Sequence, residues 1–136
     1  MNREEVRNLI ERCYAARRRG DVEAVLETFH PEGIFRLNGG PDIDVLSAGI
    51  VGRAALRELF GSLFAAWDWK EFMITNLVID GERASVHCAG PLVYVPTMTR
   101  VVSQTLDLVT IRDGKVVELI EFCDTQTLVK IISGQH

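Results

Sequence analysis

The sequence predicts an α+β fold in which three N-terminal helices and a strongly curved, mostly antiparallel sheet close around one small apolar pocket. Two observations predict it. Three stretches in the first half repeat their apolar residues with the 3.6-residue period of a helix, and from about residue 70 the period drops to two. Within that second half, Asp80-Gly81 and Asp113-Gly114 are hairpin signals. Helices followed by a run of antiparallel strands make an α+β architecture.

The elements follow in order. Asn2 and Glu5 have the spacing of a capping box. Val6, Leu9, Ile10, Cys13 and Tyr14 then form one helix face, and Gly20 ends the helix. Asp21 caps a second helix, with Val22, Val25, Leu26 and Phe29 on one side; Pro31 and Gly33 close it. A short strand is expected at 34–37 and a loop at 38–52, where Asn38-Gly39-Gly40-Pro41 breaks regular structure. Leu56, Leu59, Phe60, Leu63, Phe64 and Trp67 make an unbroken stripe along a third helix, 53–67. Strands are expected at 70–79, 83–90, 92–95, 99–111 and 115–125, with Pro91 and Pro96 marking a break or bulge.

Strands 101–111 and 116–124 carry apolar side chains on both faces. Such a sheet needs two covers. The helices supply one, and a second copy of the chain is the expected other, giving a homodimer through the outer sheet face. A long strand curling through the core is the competing explanation.

The chain has 136 residues, 47% of them hydrophobic, and reads as one domain over 1–136. A net charge of -4 argues against nucleic acid as a partner. The basic run Arg17-Arg18-Arg19 closes the first helix, where cations favour the dipole. The N-terminus lacks an apolar signal core, and no run approaches the ~18 apolar residues that span a bilayer. Three widely spaced cysteines, Cys13, Cys88 and Cys123, fit reduced thiols and a cytoplasmic location. The histidines lack metal-ligand spacing, and no phosphate loop, dinucleotide motif or nucleophile elbow appears, so neither metal nor cofactor is expected.

Three segments then carry a resemblance: Arg19-Gly20-Asp21-Val22-Glu23-Ala24-Val25, Gly52-Arg53-Ala54-Ala55-Leu56-Arg57, and Ile111-Arg112-Asp113-Gly114-Lys115-Val116-Val117 running into Glu121-Phe122-Cys123-Asp124-Thr125. In this order and spacing they resemble the SnoaL-like group of the nuclear-transport-factor-two-like superfamily, which also contains ketosteroid isomerase. The resemblance covers nearly the whole chain. It implies a cone-shaped roll with a pocket between the helices and the concave sheet face, usually as a dimer. It does not imply one activity, because this fold hosts isomerases, cyclases, hydratases, hydrolases and noncatalytic subunits.

Strand parity supplies the candidate site. A short turn at Asp113-Gly114 sets Asp107 roughly opposite Leu119, so Asp107, Leu119, Glu121 and Cys123 share a face extended by Ser103, Thr105 and Val109. Two carboxylates in an apolar cup raise one another's pKa, so one can donate a proton while the other accepts. In ketosteroid isomerase an Asp base works beside a neutral, proton-donating Asp. By resemblance Asp107 matches that donor, and Glu121 matches an acidic position of SnoaL-type polyketide cyclases. The general base of ketosteroid isomerase would fall at Leu37, and its oxyanion tyrosine at Cys13; Tyr14 is adjacent but turned about 100° around the helix. The usual ketosteroid isomerase constellation is therefore not matched.

Each candidate also has a structural explanation. Asp107 can be a hydrogen-bonded strand residue at the mouth of the cone. Glu121 can pair with an arginine such as Arg100 or Arg53, and Asp124 can cap a turn with Thr125. Tyr14, Trp67 and Trp69 can be core residues. His87 lies in a segment without clean alternation, so its face stays open.

The leading expectation is a small-molecule enzyme doing cofactor-free acid/base chemistry on an apolar oxygenated substrate. Asp107 and Glu121 form the acid/base pair, Tyr14 or His87 binds a substrate oxygen, and Phe60, Trp67, Leu119 and Cys123 line the pocket. The alternative is a noncatalytic small-ligand-binding or dimeric assembly module. An enzyme calls for two carboxylates facing a closed cavity without a basic partner; a binding module calls for charges that are all paired.

Overall fold

The computed structural model describes residues 1–38 and 49–134. Helix α1 spans Arg3–Arg19, α2 Val22–Thr28 and α3 Arg53–Ala66. Strands are β1 Phe29–Asn38, β2 Ile50–Val51, β3 Trp67–Asp68, β4 Met73–Asp80, β5 Arg83–Tyr94, β6 Thr99–Arg112 and β7 Lys115–Cys123, and a helix α4, Thr125–Ile132, follows them. The expected α+β class and the helical starts hold. The Asn2 side chain accepts from the Glu5 N–H, and the Glu5 carboxylate accepts from the Asn2 N–H at 3.0 Å. Gly20 closes α1 in a left-handed conformation, φ 68°, and Asp21 caps α2.

The strands form one curved seven-stranded sheet in the order β2-β1-β7-β6-β5-β3, with β4 also pairing β5. Neighbours are antiparallel except β1 and β7, which run parallel. Val6, Leu9, Ile10, Cys13 and Tyr14 of α1 and Leu56 and Phe60 of α3 meet the inner residues Ala84, Val86, Cys88, Val109, Ile111, Val116 and Leu119 in one buried core. That burial of apolar surface is the main stabilising term.

Four expectations are corrected. The strand placed at 34–37 begins at Phe29, because β1 follows α2 directly and pairs along the edge of β7. The loop at 38–52 lies mostly outside the described residues, and Ile50–Val51 at its end pairs with β1. The break expected near Pro91 is absent: β5 runs unbroken from Arg83 to Tyr94 and Pro91 stays in register opposite Val102. Beside it Gly90 has φ 141°, and an added Cβ there would lie 2.5 Å from the Glu71 carbonyl oxygen. Only glycine permits both that dihedral and that approach. Finally, the last strand stops at Cys123 rather than 125, because Asp124 accepts from the Thr127 N–H and starts α4. Asp124 is thus a helix cap, not the cap of a Thr125 turn.

Candidate functional site: a buried carboxylate pair on one guanidinium

The site is set by a β-bulge. Arg112 pairs with Lys115 and Ile111 with Val116, but Thr110 pairs with Glu118, so Val117 is an extra residue on β7. Beyond the bulge, Val109 stands opposite Leu119 and Asp107 opposite Glu121. Asp107 was expected roughly opposite Leu119; the two-residue turn alone would set it opposite Ile120, and the extra residue moves it one further, to Glu121. The shared face of Asp107, Leu119 and Glu121 stands, and both carboxylates point inward, 0% and 3% exposed.

Between them lies Arg17, which the sequence had read as part of a basic run serving the helix dipole. It is buried, and its Nη2 donates to both Glu121 oxygens at 2.8 and 3.0 Å. Its Nη1 lies 3.8 Å from Asp107 Oδ2, and its guanidinium sits 4.1 Å from the centroid of the Trp69 ring. The arginine beside Glu121 is therefore Arg17, not Arg100 or Arg53. Arg100 reaches Glu71, and Arg53 donates to the carbonyls of Leu26 and Phe29. A signal existed in the sequence: Val6, Ile10, Cys13 and Arg17 fall at i, i+4, i+7 and i+11, on the apolar face of α1, whereas Arg18 and Arg19 do not.

Tyr14 completes the network by donating its hydroxyl to Asp107 Oδ2. It lies one residue past the position the resemblance aligns with an oxyanion tyrosine, yet it reaches the carboxyl. Asp107 is held well above the usual carboxylate range, by burial first and then by the charge of Glu121, with Arg17 and Tyr14 opposing. Burial and the neighbouring Asp107 likewise hold the Tyr14 phenol protonated. Burial disfavours the Arg17 cation, but Glu121 and Asp107 outweigh it. The unit thus carries Arg17 as its cation, Glu121 as its bidentate partner and Asp107 as a carboxyl biased toward its neutral form.

The network opens onto a small cavity of about 60 Å³. Phe35, Leu37, Leu59, Leu63, Trp67, Trp69, Leu92 and Leu128 line it together with Arg17, Ser103, Thr105, Glu121 and Cys123. Of the residues expected on the cup, Trp67, Ser103, Thr105, Glu121 and Cys123 are present. Burial pushes the Cys123 thiol up to about 12, so it stays a thiol. Phe60 is not a wall; it sits in the core against Phe29, Phe35 and Phe64, with ring centroids 5.7–5.8 Å apart, and Leu59 and Leu63 take its place. Leu119, Tyr14 and Asp107 are buried behind the wall. His87 belongs to the outer face: it stands opposite Leu106, its Nε2 lies 2.9 Å from Gln104 Oε1, and its Nδ1 contacts the Thr75 hydroxyl. Its inner neighbours Val86 and Cys88 fix that orientation, so it cannot bind a substrate oxygen in this cavity.

Leu37 and Leu128 were not foreseen as walls. Leu128 comes from α4, which docks on its own chain through Ile131. No helix among the described residues is long and apolar enough to cross a membrane.

Solved structures share this fold. TerC, co-crystallised with polyporic acid, is 20% identical with a TM-score of 0.81, covering 95% of this chain and 98% of its own. A candidate polyketide cyclase from Xanthomonas campestris pv. campestris is 20% identical with a TM-score of 0.76, covering 95% and 97%. A candidate isomerase from Bacillus subtilis is 15% identical with a TM-score of 0.85, covering 100% and 98%. No curated protein matches the chain in sequence. The SnoaL-like domain matches residues 10–119, a stretch running from α1 through the inner strands to Leu119, and the chain belongs to that family.

Proposed function

We propose that this chain takes an apolar, oxygen-bearing small molecule into the cavity and performs proton transfer on it without a cofactor. The observation that supports this is the buried Arg17–Glu121–Asp107 unit at the cavity floor. A buried ion pair contributes little net stability compared with apolar residues of the same volume, because desolvation offsets the attraction. Perturbed, buried titratable groups beside a cavity mark functional sites. Glu121 faces the cavity as proton acceptor. The charge of Glu121 is one reason Asp107 holds its proton. Asp107 stays behind Glu121 as a carboxyl biased toward its neutral form, and Arg17 holds Glu121 in place.

The test is solvent deuterium incorporation at the α-carbon of a panel of aryl ketones. Wild type should catalyse exchange, and Glu121→Gln should slow it by about 10²–10⁴-fold, the usual contribution of a positioned acid or base. Binding without exchange by wild type would instead establish the noncatalytic ligand-binding reading. That second reading is favoured by one observation: Arg17 pairs the carboxylate that faces the cavity.

We also infer a homodimer through the outer sheet face. Val102, Leu106, Leu108 and Phe122 are 41–74% exposed there, and Leu106 and Phe122 are direct cross-strand partners. A contiguous apolar patch of this kind marks an association surface.

A further inference from the structure

Three side chains lining the cavity each hold a polar atom that no protein group satisfies: Arg17 Nε, Trp69 Nε1 and Thr105 Oγ1. The residues are 7%, 7% and 5% exposed. They are neighbours. The Trp69 ring carries the Arg17 guanidinium, Arg17 grips Glu121, and Thr105 lies two residues before Asp107, the cross-strand partner of Glu121. Buried polar groups in folded proteins are nearly always paired, and each one left unpaired is destabilising. Two of these atoms can only donate, and the threonine hydroxyl donates as readily as it accepts.

From this grouping we infer that the cavity selects ligands carrying a carbonyl-type acceptor oxygen, received by Arg17 Nε, Trp69 Nε1 and Thr105 Oγ1, with the rest of the ligand apolar. The inference rests on the small-molecule reading above and sharpens it to a ligand class. The apolar walls Phe35, Leu37, Leu59, Leu63 and Leu92 hold the hydrocarbon body. A matched ligand with a methylene in place of the oxygen fills the same space but leaves the donors buried without a partner. Sites built to hydrogen-bond a ligand discriminate strongly against analogues that lack the bonding atom.

Two probes test this: 2-acetylnaphthalene, and 2-isopropenylnaphthalene, in which a methylene replaces the carbonyl oxygen. Calorimetric titration of the full chain should show the ketone binding about 10- to 100-fold more tightly. Thr105→Val, close to isosteric, should cut the preference for the ketone by about fivefold while hydrocarbon binding stays unchanged. Trp69→Phe, which keeps a ring under Arg17 but removes the N–H, should do the same and serves if Thr105→Val does not fold. Equal binding of the two probes to wild type overturns the donor assignment and leaves the cavity standing. A preference unchanged in both variants also overturns it. Binding of neither probe overturns the small-molecule reading, and the ligand class with it.

Discussion

The two faces of β6 and β7 differ by one residue of phase and by opposite chemistry. Inward, Asp107 and Glu121 face each other in the interior; outward, Leu106 faces Phe122 and Leu108 faces Ile120. An ordinary half-buried sheet does the reverse, placing apolar side chains inside and polar ones in water. Here acids are buried and large hydrophobes are exposed along the same stretch of ladder. The contrast is local: the acid pair sits on the inner face among the core residues Val109 and Leu119, while the outer face leaves large hydrophobes in water. The inner one carries the acid pair proposed as the reactive site, and the outer one the surface proposed for the dimer.

Four measurements break or sharpen that contrast. The largest effect is expected at Arg17→Met, which strands Glu121 inside. Denaturant titration should show a loss of about 3–5 kcal/mol, the typical penalty for removing one partner of a buried pair. Adding Glu121→Gln should recover part of it; no recovery would mean that the pair is not the source of the loss. Next is Tyr14→Phe, which takes the hydroxyl from Asp107 Oδ2 and should cost about 1–3 kcal/mol by the same assay.

Third is pH. Asp107 keeps its proton in the fold, while the unfolded chain releases it above its ordinary value of 3.8. The native state therefore binds more protons, and stability should fall as pH rises above about 4, by up to about 1.4 kcal/mol per pH unit. Asp107→Asn, which cannot ionise, should flatten that slope in melts at pH 4.5–7.5. Asp124, lowered by its hydrogen bonds with Thr127, works in the opposite sense. Its contribution is lost only as pH falls below 3.8, outside that window. The smallest effect on the fold belongs to the outer face. Leu106→Lys with Phe122→Asp should shift monomer stability by no more than about 0.5 kcal/mol. It should nonetheless halve the mass seen by sedimentation; an unchanged mass would remove the outer face as the dimer surface.

Much of this was legible in the chain itself. The helical caps at Asn2 and Asp21, the hairpin turns, and the two-faced β6 and β7 follow from local chemistry that the tertiary structure respects. Parity alone brought Asp107, Leu119 and Glu121 to one face. What stayed hidden depends on register and on single side chains. The bulge at Val117 has no sequence mark of its own. Arg17 looked like the first of three equivalent cations, and only its helical phase sets it apart. Tyr14 reaches Asp107 because its side chain is long enough to offset the turn around α1. His87 was ambiguous because Ala84-Ser85-Val86-His87-Cys88-Ala89 mixes small residues on both faces.

The extra residue at Val117 has a consequence for how such a site changes over time. Strand parity makes length, not identity, the coarse control of what faces the cavity. Losing that one residue would set Asp107 opposite Ile120 and turn Glu121 toward solvent, dismantling the acid pair without altering either acid. In this sheet a deletion is a more drastic edit than any substitution, and a compensating insertion farther along β7 could reassemble the same floor from different neighbours.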